Sequence, residues 1–400
     1  MKKKIISILL AMMTAAGAAA VPVAAAETEA VGAAADSEAV AAEIEDEAVS
    51  AASASAVKLS GTASFNFSAQ DYTTWSKVMN SYLSEKSDGT LERVEYCPDN
   101  NMLIYEVYSA DGKTKKKSGS ISMELPLFGG FFSGSDCNYV VFGKSNPNND
   151  DKSEVLRVVK YSKDWERQSS VSVYGANTKN PFEAGSLRMA EKNGKLYIHT
   201  CHKMYNGHQA NMSYVITESD MKIAECNYNV LWFEKGYVSH SFNQFIQNDG
   251  TYLYRVDHGD AYPRAITLTK VSLSGSINTV STCEPVSLAN TGNTGYNYTG
   301  VSVGGFELSS DKCIIAFNGV DFTKANADPN GKRNIYLSIT GKDLASSKNV
   351  MLTNYESTSN INVSTPQLVK INNSRFLVMW EETDTSKMTM ITKLASVSAD

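Results

Sequence analysis

Beyond its first two dozen residues this 400-residue chain contains no apolar run of membrane-spanning length, so no helical membrane span is expected in its body. A surplus of positive charge is missing too: 37 Lys and Arg face 43 Asp and Glu. Setting aside the three lysines at 2–4 and the eight acids at 27–57 leaves 34 against 35, a near-neutral body. Nucleic-acid binding needs many basic phosphate contacts, and such a balance argues against it. Helix-periodic stretches are few while Tyr, Val, Ser, Thr and Asn abound, which favours an all-β fold. The six cysteines are scattered and form no CxxC pair, and a body this long buries enough core without staples, so free or partly paired thiols are expected. GVSVG at Gly300–Gly304 matches GxSxG but lies in a β-rich repeat with no helical pattern after it, and no Walker sequence, dinucleotide fingerprint or sialidase-type Asp box occurs, so no uncontested enzyme signature is present.

The start of the chain reads as export machinery. Lys2, Lys3 and Lys4 form a positive segment, Ile5 to Met13 an apolar run too short to cross a bilayer, and small residues up to Ala26 a cleavage site. Residues 1–26 are therefore expected to be a secretory signal peptide of Gram-positive type, and the mature protein to be secreted or held at a surface only by binding. Residues 27–57 carry eight acids, no Lys or Arg and few large apolar groups. That composition cannot offset ordering entropy, so a disordered linker is expected.

Residues 58–400 show self-similarity. Short apolar cores follow tight polar turns: LIYEV at Leu103, YVVFG at Tyr139, LYIHT at Leu196, LYRVD at Leu253, IIAFN at Ile314 and FLVMW at Phe376, with starts 36, 57, 57, 61 and 62 residues apart. Each has a short strand before its turn, and after a polar loop comes an alternating third strand, usually with a weaker fourth. Four antiparallel strands per repeat without helices describe the blades of a β-propeller. Six blades are expected, with seven and an incomplete ring as alternatives. KLSGTASFNFS, 58–68, is the candidate to complete the last blade, and DYTTWSKVMNSYL, 71–83, suggests a helical turn or two.

The turns after the first and third strands are short, whereas the loops after the second and fourth are long and polar. The long set shares one face, where binding groups on a rigid scaffold usually sit. All five histidines, His199, His202, His208, His240 and His258, fall within 199–258. His202, His240 and His258, with Asp257 and Asp260, are the candidates for acid/base chemistry or a transition-metal site, against a plainer reading as hydrogen-bonding residues that lock loops. His199 and His202 have opposite parity along one strand, so they face opposite sides. For a bound sugar or carboxylate, Tyr262 offers a stacking ring and Arg264 a fork, and His208, Tyr205, Tyr296 and Tyr298 lie in neighbouring loops. Glycoside hydrolysis needs two paired carboxylates, and Asp257, Asp260, Glu183 and Asp321 are available. The loops NPNNDDKSE and NADPNGKR offer oxygens to calcium but lack the fixed DxDxDG spacing and read as solvated turns, so no cofactor is expected.

On the segments YGANTKNPFEAGSLRM, HKMYNGHQAN, YVSHSFNQFI, VDHGDAYPR and NYTGVSVGGFE, the body from about Leu91 to Trp380 resembles the large secreted β-propeller proteins of Gram-positive gut and rumen bacteria. That resemblance implies a fold and is nearly silent on activity. The expected function is a monomeric extracellular binding protein whose loop face recognises a glycan or a host or cell-surface protein, an immunoglobulin among them. A polysaccharide hydrolase or lyase using the His/Asp candidates is the alternative, and a purely architectural module a third reading.

Overall fold

The computed structural model describes residues 78–227, 243–273 and 279–399. Six antiparallel sheets follow one another along the chain as the blades of a six-bladed β-propeller. Blade 1 comprises Ser81–Glu85, Leu91–Cys97, Met102–Tyr108 and Lys115–Ser122 (β1 to β4), and blade 2 Leu127–Ser133, Cys137–Gly143, Glu154–Ser162 and Arg167–Tyr174 (β5 to β8). Blade 3 begins with Thr178–Pro181 (β9) and continues with Arg188–Lys192, Lys195–Met204, Gln209–Thr217 and Lys222–Asn227 (β10 to β13). Blade 4 is Phe245–Asn248, Tyr252–Asp260, Arg264–Ser272 and Thr279–Ser287 (β14 to β17), and blade 5 Val301–Leu308, Lys312–Gly319, Asn334–Gly341 and Ser347–Met351 (β18 to β21). Blade 6 consists of Ile361–Val363, Gln367–Lys370, Arg375–Asp384 and Thr389–Ser398 (β22 to β25). Among the described residues the only helical element is a 3-10 turn at Pro98–Asn100, and no helix is long and apolar enough to cross a membrane.

Local chemistry sets the hairpins. Between β10 and β11, Asn193 and Gly194 both have positive φ, 54° and 70°, the turn geometry that Asn-Gly favours, and it brings Lys192 opposite Lys195. Both faces of each middle strand are then buried. On β19, Ile315 and Phe317 pack towards blade 4, while Ile314 and Ala316 pack towards blade 6. On β11, Leu196 and Ile198 face blade 2, and Tyr197 faces blade 4. The period of two therefore selects a left or right neighbour here, where an ordinary sheet would use it to separate core from solvent.

The innermost strands crowd together. Tyr82 of β1 meets Phe128 and Phe131 of β5 edge-on, with ring centres 6.3 and 5.6 Å apart. Gly304 and Gly305 make a bulge in β18, and a β-carbon on Gly304 would collide with the Pro366 carbonyl oxygen of blade 6. The double glycine is thus a close-approach device between blades. Gly304→Ala is expected to destabilise the fold by about 2 kcal/mol or more, since the obstacle is backbone and cannot rotate away; a thermal melt matching the parent's would refute this.

Two expectations need correction. LIYEV is the third strand of blade 1, since Ser81–Glu85 adds a first strand ahead of it and Lys115–Ser122 a fourth. That accounts for the irregular 36-residue spacing, which runs from a third strand to a second. The end of 71–83, expected to be helical, is strand from Ser81 onward. Residues 58–68, the closing-strand candidate, and the linker 27–57 lie outside the described residues. In blade 6, β22 and β23 both pair with β24 on the side opposite β25, so they share the inner rung. None of the six cysteines forms a disulfide, and Cys97, Cys201 and Cys313 are buried.

Candidate functional site

The parity rule decides where the candidate histidines and acids point. His199 is odd-numbered on β11, like Tyr197, and so faces blade 4. Asp257 is odd-numbered on β15, like Leu253, and faces back. The two meet: His199 Nε2 lies 2.9 and 3.0 Å from the Asp257 oxygens. Arg255 donates to Ser213 Oγ at 2.9 Å, and Ser213 Oγ lies 2.9 Å from His199 Nδ1. A carboxylate can only accept, so His199 donates from Nε2 to Asp257, and the ring's other nitrogen, Nδ1, accepts from the Ser213 hydroxyl. Asn211 and Gln244 also donate to Asp257, at 3.3 and 3.1 Å. A Ser–His–Asp chain of this kind suggests a nucleophilic triad, yet all its members are buried between blades 3 and 4, where no substrate reaches the hydroxyl. It is a polar lock between blades.

His202 is even-numbered and lies on the blade 2 side, with Nδ1 2.7 Å from Thr178 Oγ1 of β9. It is part of the strand, not of the loop, and wholly buried. His258 turns towards blade 5, with Nε2 2.9 Å from Thr299 Oγ1, and is also fully buried. Burial pushes both imidazoles down to about 3, helped for His258 by Arg333 and Arg264. Asp260 is buried on the same face as His258. His202, His258, Asp257 and Asp260 therefore do not gather at an open rim, and His240 lies outside the described residues. Among the described residues no three His, Cys, Asp or Glu side chains are grouped to hold a metal. The other carboxylates are engaged as well: Glu183 by Asn180, Gln209 and Lys203, and Asp321 by Thr323 and Lys324. In the NPNNDDKSE loop Asp150 caps its own turn through Lys152 and Ser153.

The loop face offers something else. Arg264, expected to fork onto a ligand anion, spends its guanidinium on main-chain carbonyls: Nη1 donates to Asp260 O and Tyr296 O at 3.2 and 2.6 Å, Nη2 to Thr291 O and Tyr298 O at 2.7 and 2.9 Å. It thereby fixes the course of the 288–300 connection, which is stitched to the 320–333 loop by Val320 N to Gly300 O and Asn290 Nδ2 to Phe322 O. Gly300, at φ 76°, lets Pro329 come close; a β-carbon there would sit 3.1 Å from Pro329 Cα and 2.8 Å from Val320 Cγ2. Between the two loops lies a groove of about 520 Å³ lined by Gly292, Asn293, Thr294, Gly295, Tyr296, Asp328, Pro329 and Asn330.

Tyr296 is 44% exposed, its ring 5.1 Å from that of Tyr298. Tyr262 is 63% exposed on the neighbouring turn, whose Asp260 carbonyl accepts from Gly295 N at 2.9 Å. Those three tyrosines come together in one region of the loop face. Tyr205 and His208 belong to a separate hairpin: the Tyr205 hydroxyl donates to Asp151 at 3.0 Å as a strut between loops, while His208 is exposed in its turn. Sequence reasoning missed His199 as the centre of the polar lock and Asp328, Pro329 and Asn330 as the second wall of the groove. The parity noted for His199 was the available signal; the groove wall had none, because NADPNGKR reads as an ordinary turn.

Geometry defines the class as a six-bladed β-propeller with a groove on its long-loop face. No family model matches the chain, and no curated protein matches it. Among solved structures it is similar to a subtype N10 neuraminidase-like protein of A/little yellow-shouldered bat/Guatemala, at 10% identity and TM-score 0.47, covering 82% of this chain and 97% of that one. It is also similar to a protein of unknown function from Dyadobacter fermentans (12%, TM-score 0.45, 80% and 94% covered) and to the β-propeller domain of the Trilobed protease from Pyrococcus furiosus (9%, TM-score 0.41, 81% and 84% covered). At such distances the fold rests on the six sheets themselves.

Proposed function

We propose that this chain is an exported binding protein that holds a glycan on its long-loop face. The observation that carries this reading is the stitched groove beside Tyr262 and Tyr296, two large aromatic side chains that the fold leaves in solvent while it buries His202, His258, Asp257 and Asp260. Exposed rings next to amides and hydroxyls suit sugar, whose C–H face stacks and whose hydroxyls pair with Asn and Asp. A concave groove of about 520 Å³ falls in the range of small-ligand sites, about 300–1,000 Å³. Hydrolysis is less well supported: Asp257 and Asp260 point to opposite blades, so they do not form the pair that glycosidic cleavage needs.

The test is retention of the full chain on immobilised polysaccharides, with released sugar measured in parallel. The double variant Tyr262→Ala/Tyr296→Ala is expected to lose retention while melting like the parent. Release of sugar, or retention untouched by the double change, would overturn the reading, and capture only by immobilised host proteins would assign the face to a protein partner instead.

A further inference from the structure

We infer that the groove between 292–296 and 328–330 takes an uncharged sugar chain in preference to an acidic one; this rests on the glycan reading above. The argument is electrostatic and starts from the two loops that build the groove. The connection 288–300 contains no Lys or Arg. The 320–333 loop contains three cations, and none of them lines the groove. Lys324 pairs with Asp321 at 3.2 Å. Lys332 donates to Ile361 O and Asn362 Oδ1 in blade 6, at 2.8 and 3.1 Å. Arg333 is buried and donates to Ser302 Oγ and Asn318 Oδ1, both at 2.9 Å. Arg264, the remaining cation beneath the groove, has both terminal nitrogens on main-chain carbonyls, which only an arginine fork satisfies as a set.

The charge left on the lining is the carboxylate of exposed Asp328, whose Oδ1 accepts from Asn330 N at 2.9 Å and still has capacity for hydroxyl donors. A sialic acid, uronate or sulfated sugar would bring its anion towards that carboxylate with no cation among the lining residues to pair it. A neutral chain meets matching groups: the Asn293 and Asn330 amides donate and accept, Thr294 does both, Asp328 accepts, and the Tyr296 ring offers a face. Rejection of acidic sugars thus comes from an unpaired like charge, the cheapest device for discrimination.

The experiment is calorimetric titration of the full chain with matched oligosaccharides: neutral gluco-, xylo- and manno-series, acidic oligogalacturonate and sialyllactose, and a glucosamine series as the cationic arm. The neutral series is expected to bind, with affinity unchanged between about 0.05 and 0.5 M salt because no ion pair is formed. Tyr296→Ala should weaken neutral binding roughly tenfold or more. Asp328→Lys should lower neutral affinity and let acidic chains bind. Tighter binding of acidic sugars by the parent overturns the neutral assignment while leaving the glycan reading intact, whereas glucosamine chains binding at least as well as neutral ones, with a salt-dependent affinity, support Asp328 as the charge of the groove. Failure of every sugar, in a parent that melts cooperatively, overturns both. Neutral binding that Tyr296→Ala and Asp328→Lys leave unchanged removes the ligand from this groove.

Discussion

Asp257→Ala is expected to destabilise the propeller by about 3–5 kcal/mol. The size follows from what the carboxylate serves. His199, Asn211 and Gln244 all donate to it, from two blades, and every one of them is buried. Removing an acceptor that three buried donors share leaves them without water to replace it, and each orphaned group costs about 1–3 kcal/mol. Because the lock joins blades 3 and 4, the loss should also appear as faster hydrogen exchange in β10 to β17. Asp257→Asn, which keeps the shape but replaces one acceptor by a donor, should fall between parent and Ala. A melting temperature for Asp257→Ala within a degree or two of the parent's would show that the lock carries no stability.

Acidification below about pH 6.5 should destabilise this protein through two of its buried histidines. His202 and His258 have folded values near 3, below the value of about 6.5 for an exposed imidazole. The unfolded chain therefore binds more protons between pH 3 and 6.5, and the stability that neutral imidazoles allow is complete above pH 6.5 and lost as pH falls. Each histidine contributes up to about 1.4 kcal/mol per pH unit below 6.5, so the two together amount to roughly 4 kcal/mol at pH 5. Three carboxyls raised by burial, Glu218, Glu307 and Glu381, act in the opposite sense. The discriminating quantity is thus the difference in pH slope between the parent and His258→Gln, which keeps a polar partner for Thr299 but cannot be protonated. Melts at pH 7.5 and 5.0 should show a shallower decline in the variant; equal slopes would mean that His258 does not titrate on unfolding.

Much of the architecture was legible because it is written locally. Asn193-Gly194 and the turns like it announce hairpins through backbone conformations that few other residues adopt, and alternation in LYIHT or IIAFN announces strands. The frame of blade 1 was not legible, because SYLSE carries no strong strand pattern and its neighbour LIYEV looks like any second strand. The histidines misled for a physical reason. In a strand with one wet face, a polar residue at alternate positions marks solvent; in a blade packed on both sides it marks a neighbouring sheet. His199, His202 and His258 obey the alternation and are still dry. The tyrosine loop was legible as a surface, since TGNTGYNYTG has no apolar set to bury, but its partner wall depends on a contact between Gly300 and Pro329 that joins two distant stretches of chain.

The four-carbonyl grip of Arg264 has a further consequence. A guanidinium that holds only main-chain oxygens is indifferent to the side chains of the residues it grips, so positions 291, 296 and 298 can change without costing Arg264 a hydrogen bond. Selection on such a scaffold acts on recognition and stability separately, and the same ring can acquire a new ligand by changing a handful of codons in one loop.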